Sequence, residues 1–237
     1  MHMVNLRNQL ERTLEPESMD TPELAIVYHK MARVHAFLDR LFARKIARLG
    51  VKGRALDVGC GSGLLSLEVS RRAKGLHITA VDLSSAMLDL ARGSSQQDDA
   101  GAIEFVQADA KALPFQDGTF DIVFSQHTLH HLPDPEALFL EMERVARPGG
   151  YVLLRDLRRP RRAGMLSLYL HTFGCIYNWL GKDAAAAKSL YRASLNAALS
   201  YPEWAQLAKL CQVHGAALTN VPLLSHADIV FRKRCAP

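Results

Sequence analysis

Residues 56–70 read LDVGCGSGLLSLEVS: an apolar run with an aspartate in it, a turn holding three glycines, and a second apolar run. The stretch RALDVG (54–59) suits a strand buried on both faces, and the residues after Gly63 suit a helix. Gly59, Gly61 and Gly63 carry no Cβ, so the chain can turn sharply there and come within contact distance of a bound molecule. Alone, a G-x-G-x-G turn serves equally as a tight strand-to-helix link.

The neighbours favour a ligand. A second strand, HITAVDL (77–83), ends in Asp82, at about the separation where an acidic residue reaches ribose hydroxyls in nucleotide-binding folds. A carboxylate accepts two hydrogen bonds from a vicinal diol and repels a phosphate, which a helix N-terminus would otherwise attract. Asp57 beside the turn likewise favours a cationic or zwitterionic group over a pyrophosphate. Neither the Lys-Ser/Thr of a phosphate loop nor the full G-x-G-x-x-G pattern occurs, because position 64 is Leu. These residues point to a nucleoside with an amino-acid-like tail.

Outward from the turn, strands and helices alternate. IEFVQAD (103–109), FDIVFSQ (120–126) and GYVLLRDL (150–157) continue the strand series, with a helix over 135–147 that Asp134 caps, Pro135 opens and Gly149 follows. Right-handed strand–helix–strand units build a parallel sheet covered on both faces. Before them, residues 1–50 read as helix. From Thr21 to Leu49, Leu24, Val27, Met31, Val34, Leu38, Leu41, Ile46 and Leu49 recur at helical spacing, with Pro22 at the start and Gly50 as the stop. After them come a helix at about 201–214 and two short strands, ALTNVPLL and HADIVFRKR, expected to pair antiparallel at the sheet edge. The expected fold is α/β: a Rossmann-like, mostly parallel seven-stranded sheet with helices on both faces, an antiparallel edge strand and a helical insertion after the fifth strand. Residues 1–237 read as one domain: an N-terminal helical segment (1–50), a ligand-binding core (51–157), a lid-like insertion (158–200) and a C-terminal part (201–237).

The chain resembles the class I S-adenosylmethionine-dependent methyltransferases, especially the small-molecule branch that includes the ubiquinone and menaquinone methylases. The likeness runs from about Tyr28 to Leu157 and rests on LDVGCGSG, AVDLSSAML, QADAKALPF and FDIVFSQHTLHHLPDPEALFLEMERVARPGG in that order. It implies S-adenosyl-L-methionine as cofactor, with Asp57 and the Gly59–Gly61–Gly63 loop on its methionine part and Asp82 on the ribose diol. It places Leu83 and Met87 against the adenine, Asp109 at the adenine amino group, the Ala110 N–H nearby, Ser125 beside the methionine tail, and Tyr28 closing the site. Each residue also has a plainer role open to it: Leu83 and Met87 as core, Asp109 as a turn cap, Tyr28 as a helix-face aromatic, Cys60 as a small buried filler.

Methyl transfer from a sulfonium is an in-line displacement, so the protein mainly aligns the acceptor and excludes water. A base is needed only where the acceptor arrives protonated. His127, His130 and His131 lie just beyond the fourth strand, and His127 is the candidate base. Segment 158–200, which the family pattern does not cover, holds Tyr169, His171, Phe173, Tyr177, Trp179 and Tyr191. That composition suits a helical lid over an apolar pocket, and equally a helical pair or the face of a homodimer.

Composition narrows the partners. With 49% hydrophobic and 22% charged residues the chain is of ordinary globular type, and no run approaches the roughly 20 apolar residues of a membrane span. Residues 155–162, RDLRRPRR, supply +4 of the net charge of +5, leaving the remainder at +1. A basic loop of that kind is smaller than a nucleic-acid footprint, so the expected partner is a small-molecule acceptor and not nucleic acid. The alternatives are an RNA or protein methylase gripping through the arginines, and a cofactor-binding protein without turnover. Cys60, Cys175, Cys211 and Cys235 show no CxxC spacing, so no metal site and no disulfide framework are expected, in keeping with a reducing cytoplasm. Glu11, Glu15, Glu17 and Asp20 interrupt the N-terminus, and no secretory signal is expected there.

Overall fold

The computed structural model describes residues 11–15, 21–96, 103–210, 215–221 and 225–234. Seven strands form one sheet: β1 (Gly53–Val58), β2 (Leu76–Asp82), β3 (Ile103–Gln107), β4 (Phe120–Gln126), β5 (Ala146–Leu157), β6 (Ala217–Val221) and β7 (His226–Arg232). Their order is β3-β2-β1-β4-β5-β7-β6, with β1 to β5 parallel and β7 antiparallel to both its neighbours. The C-terminal hairpin pairs antiparallel at the edge, as expected, and the reversed strand is the inner of the two.

Alternation along the central strands shows why they pair here. Leu56, Val58, Val123, Val152 and Leu154 face one apolar cluster, and Ala55, Ile122, Phe124 and Leu153 face the other. Side chains two apart share a face, so a near-continuous apolar run buries both faces. The first cluster is closed by Leu138, Phe139 and Met142 of α5 (Pro135–Val145) and Trp204 and Leu207 of α8 (Tyr201–Leu210). The second is closed by Phe42, Ala43 and Ile46 of α2 (Ala36–Ala47) and Leu65 and Val69 of α3 (Leu64–Arg72).

The N-terminal helix differs from its reading. It is two helices, α1 (Pro22–Val34) and α2, broken at His35, and residues 11–15 are not helical. The caps hold: Thr21 Oγ1 accepts from the Leu24 N–H at 3.3 Å, and Gly50 ends the run at φ 64°. Residues 1–10 and 16–20 lie outside the described residues, as do 211–214 of the C-terminal helix, 222–224 of the hairpin, Cys211 and Cys235. Helix α5 ends at Val145, and β5 begins at Ala146, four residues before the expected Gly150, with an irregularity in its pairing to β4 between Phe120 and Ile122. The insertion after β5 is helical: α6 (Ala163–Ile176), a 3-10 segment (Tyr177–Asp183) and α7 (Ala184–Ala197). The remaining helix, α4 (Ser85–Gln96), follows β2.

The arginine stretch is not one surface loop. Arg155 lies in β5, 7% exposed, and its guanidinium donates to both Asp228 oxygens of β7 at 2.7 Å while stacking 4.6 Å over the Phe42 ring. Lys45 of α2 donates to the same carboxylate at 2.9 Å. Arg159 is tied to Glu203 and to the Ala198 carbonyl, Arg158 is half-buried, and Arg161 and Arg162 are exposed. Burial alone would raise the Asp228 carboxyl; the bonds to Arg155 and Lys45 outweigh it and hold the carboxyl below its ordinary value. Removing one partner of a buried pair leaves a bare charge. Arg155→Met is therefore expected to cost about 3 kcal/mol in urea unfolding, the low end of the range for such breaks because Lys45 remains. Adding Asp228→Leu should restore much of that loss, whereas a double variant no better than the single one would contradict this reading.

Candidate active site

The strand ends at the carboxyl edge of the sheet surround one large cavity. The turn after β1 forms part of its wall, with Gly59, Gly61 and Gly63 at φ 71°, 52° and 76°. That left-handed region is costly for any residue with a Cβ. The three glycines do different jobs. A Cβ on Gly59 would fall 2.1 Å from Thr128 Oγ1, so this glycine lets β1 and the chain after β4 pack together. A Cβ on Gly63 would press on Ala91 and Phe105, and Gly63 does not line the cavity. Gly61 faces open space in the cavity wall.

The turn is pinned to β2. The N–H groups of Gly59 and Cys60 donate to the Val81 carbonyl at 2.8 and 2.9 Å, and Gly61 N–H donates to Asp82 Oδ2 at 2.7 Å. Asp82 Oδ1 accepts from Ser84 N–H at 2.9 Å, and Ser84 Oγ then caps α4 through Met87 N–H. AVDLSSAML is thus a self-organised corner whose carboxylate is held at the cavity wall, with Leu83 and Met87 beside it. Asp109 and Ala110 line the same wall after β3. Asp109 Oδ1 accepts from Lys111 N–H at 2.8 Å, so it caps its turn and faces the cavity at once. Ser125 is fully buried and its hydroxyl donates to the Val58 carbonyl at 2.7 Å, while its neighbours Gln126 and His127 line the cavity. In a strand the next residue faces the other way.

Asp57 is 1% exposed, and Ser66 donates to its Oδ2 at 2.5 Å. Its Oδ1 is buried without a hydrogen-bond partner among the described residues. Burial first, then the charges of Asp39 and Asp82, raise the carboxyl to about 7 despite the Ser66 bond. An uncompensated acceptor next to an open glycine backbone fits a ligand with a cationic amino group.

The histidines sort by partner. His127 sits at φ 59° in the left-handed region, and its Nε2 lies 2.7 Å from Nε2 of His226 at the start of β7. Burial and His226 hold His127 well below the ordinary range, so its imidazole is neutral. His130 differs: its Nδ1 lies 2.6 Å from Asp156 Oδ1, and its Nε2 lies 3.2 Å from Glu15, which also approaches His131 Nδ1 at 3.3 Å. Burial would lower His130, but Asp156 and Glu15 outweigh it and raise it to about 10; Asp156 in turn falls to about 2. Glu15, His130 and His131 bring three ligand-type atoms within 4.8 Å of one another, yet with His130 protonated between two carboxylates the group is an ion-pair cluster.

Tyr28 lines the cavity from α1, and Phe173, Tyr177 and Tyr191 line it from the insertion. Sequence reading missed Asp39, Gln126, Asp156 and His226. Asp39 had a signal: it stands three, four and seven residues before Phe42, Ala43 and Ile46, on the helix's apolar stripe. His226 had none, since nothing in the sequence aims a strand's first residue at a loop ninety-nine positions earlier.

The ion-pair cluster gives a pH dependence of stability. A histidine raised to about 10 stabilises fully below its unfolded value near 6.5 and loses this as pH climbs through 10; Asp156 stabilises above about 4 and loses this as pH falls through 2. Urea unfolding of wild type and His130→Gln should therefore differ most near pH 5.5, with the gap closing steadily toward about pH 10. A gap that stays flat across that range would refute the charged assignment.

A family model described as a methyltransferase domain matches residues 56–154. The demethylmenaquinone methyltransferase of Bacillus velezensis is 31% identical over 169 residues, covering 71% of this chain and 72% of that protein. That of Bacillus licheniformis is 33% identical, with 70% and 71% covered. A fatty-acid O-methyltransferase of Mycolicibacterium smegmatis is 32% identical over 140 residues, 59% of this chain and 50% of that protein. Among solved structures, the plantazolicin methyltransferase bound to a monoazolic desmethylPZN analog and SAH shares the fold, with a TM-score of 0.69, 14% identity, and 90% and 91% of the two chains covered. With its seven-stranded order, its glycine turn between Asp57 and Asp82 and these relatives, the chain belongs to the class I S-adenosyl-L-methionine-dependent methyltransferases of the small-molecule type.

Proposed function

We propose that this methyltransferase acts on a small, largely apolar acceptor held between the glycine turn and the helical insertion, which serves as its lid. The observation carrying this reading is that one continuous cavity is lined both by Asp57, Gly61 and Asp82 and by Phe173, Tyr177 and Tyr191. Asp57 and the turn would hold the methionine part of the cofactor, Asp82 the ribose diol, Leu83 and Met87 the adenine face, with Asp109 and Ala110 at its polar edge and Tyr28 closing the site. The cofactor supplies the activated methyl group. This chain's own residues bind, orient and exclude water.

Acceptor chemistry follows from the lining. His35, which burial holds at about 4, is neutral, as is His127. A neutral imidazole can take a proton from an acceptor hydroxyl. The relatives named for demethylmenaquinone and for fatty acids point the same way, toward apolar acceptors. The arginine stretch offers little to a nucleic acid, because Arg155 is buried on Asp228 and Arg159 is bound to Glu203. Among the described residues no helix is long and apolar enough to cross a membrane.

The direct test mixes the protein and labelled methyl donor with total RNA and a panel of small phenols, quinols, amines and carboxylic acids. Label is expected in a small apolar acceptor and insensitive to Arg161→Ala/Arg162→Ala; label confined to RNA, with a steep salt dependence, would overturn the proposal. Asp82→Ala should weaken cofactor binding by about 1.5–3 kcal/mol in calorimetry, since charged hydrogen bonds to the diol are lost. Hydrogen exchange should slow across α6 and α7 when cofactor and acceptor are both bound. Unchanged protection there would remove the lid from the proposal.

A further inference from the structure

Helix α6 is apolar on two sides, and among the described residues only one of them is covered. Met165, Leu166, Tyr169, Leu170 and Phe173 pack inward with Tyr177 and Tyr191. On the outer side Leu168, Thr172, Cys175 and Ile176 stand at i, i+4, i+7 and i+8, one stripe of a helix, and all four are exposed. Trp179 follows three residues later, in the 3-10 segment. At 90% and 61%, Trp179 and Leu168 are the two most exposed large apolar side chains among the described residues. Single surface leucines need no explanation, but a tryptophan left in water at the end of an apolar stripe does.

Charge at both ends of this face narrows what covers it. Residues 157–182 contain no Asp or Glu, but hold Arg158, Arg159, Arg161, Arg162 and Lys182. Arg161 and Arg162 precede α6, Lys182 follows Trp179, and all three are exposed. Asp183, the next acidic residue, is bonded to Lys30 of α1. We propose that this outer face docks on the surface of an anionic lipid bilayer. Leu168, Ile176 and Trp179 enter the headgroup boundary, and Arg161, Arg162 and Lys182 meet the lipid phosphates. Apolar side chains with an interfacial tryptophan and flanking cations are what a helix lying in the interface plane requires. The helix lies on the bilayer without crossing it, since none among the described residues is long and apolar enough to span.

Other occupants fit this face less well. A second copy meeting it about a two-fold axis would set Arg161 and Arg162 against the same patch, with no acid in 157–182 to answer them. For a nucleic acid, three exposed cations make a short phosphate track, and the aliphatic Leu168 and Ile176 give the bases no ring to stack on. Phe173, on the inner side of α6, lines the cavity, so docking sets the insertion between bilayer and cavity. The surface stands apart from what the cavity holds, and its test uses neither cofactor nor acceptor.

The chain has two tryptophans and Trp204 is fully buried, so a change in tryptophan emission on docking reports Trp179. Wild type mixed with vesicles of phosphatidylcholine and phosphatidylglycerol should co-sediment, shift its emission to the blue and lose quenching by acrylamide. Vesicles of phosphatidylcholine alone should bind it roughly tenfold or more weakly, because each cation near an anionic surface strengthens binding about fivefold. Arg161→Ala/Arg162→Ala should weaken binding to the anionic vesicles by roughly tenfold or more, and Trp179→Ser should abolish the emission change. Absence of co-sedimentation, equal binding to both vesicle types, or co-sedimentation that leaves Trp179 open to acrylamide would overturn the proposal. So would a dimer in solution with Trp179 already shielded, or shielding by total RNA where vesicles give none. The quenching comparison uses wild type alone, so it decides the matter even if a variant folds poorly.

Discussion

The close approach of Gly59 to Thr128 governs the ligand edge of the sheet. Thr128 fills the space where a side chain on residue 59 would stand, and its hydroxyl donates toward the carbonyls of Val58 and Gly59 at 3.3 and 3.2 Å. This fastens the turn after β1 to the chain after β4. With Gly59 and Cys60 bonded to Val81, three strand ends become one rigid corner. Asp57, Asp82 and His127 occupy fixed places because that corner cannot open without losing several buried hydrogen bonds. A site built on rigid elements holds its geometry within the tolerance that methyl alignment demands.

The distribution of charge in this corner is unusual for a protein interior. Asp39 and Asp57 are carboxyls raised toward neutrality, whereas Asp156 and Asp228 are held ionised by His130 and by Arg155 with Lys45. The first pair faces the cavity, and the second braces the wall behind it. The same residue type is thus split by its surroundings into groups ready to meet a cation and groups that already have one.

Much of the fold was legible because its signals are local. The apolar runs of β1, β2 and β4, the Asp134–Pro135 start of α5 and the glycine turn each declare themselves within a few residues. What escaped depended on distant pairing. His35 interrupts a helical pattern without a Gly or Pro to mark it, and its ring instead lies 5.4 Å from Tyr177 and 6.2 Å from Tyr191 of the insertion. The arginine stretch read as a surface loop because charge alone does not reveal that Asp228, seventy-three residues away, stands opposite Arg155. Ser125 and Gln126 differ only in which side of β4 they face, and a one-residue ambiguity moves a side chain from the core to the cavity.

The position of β7 between β5 and β6 sets an order of events in the making of the molecule. His226 and Asp228 belong to a strand made after β1 to β5, yet one meets His127 at the cavity wall and the other answers the charge of Arg155. A growing chain can collapse β1 to β5 with their helices well before that strand exists, since folding proceeds from the N-terminal side during synthesis. Over that interval Arg155 is a cation against Phe42 with no carboxylate opposite, and an edge of β5 stands open to pair with any extended segment. The hairpin's arrival closes the edge, answers the cation and brings His226 to the cavity, so a nascent chain has no complete site until β7 has been made.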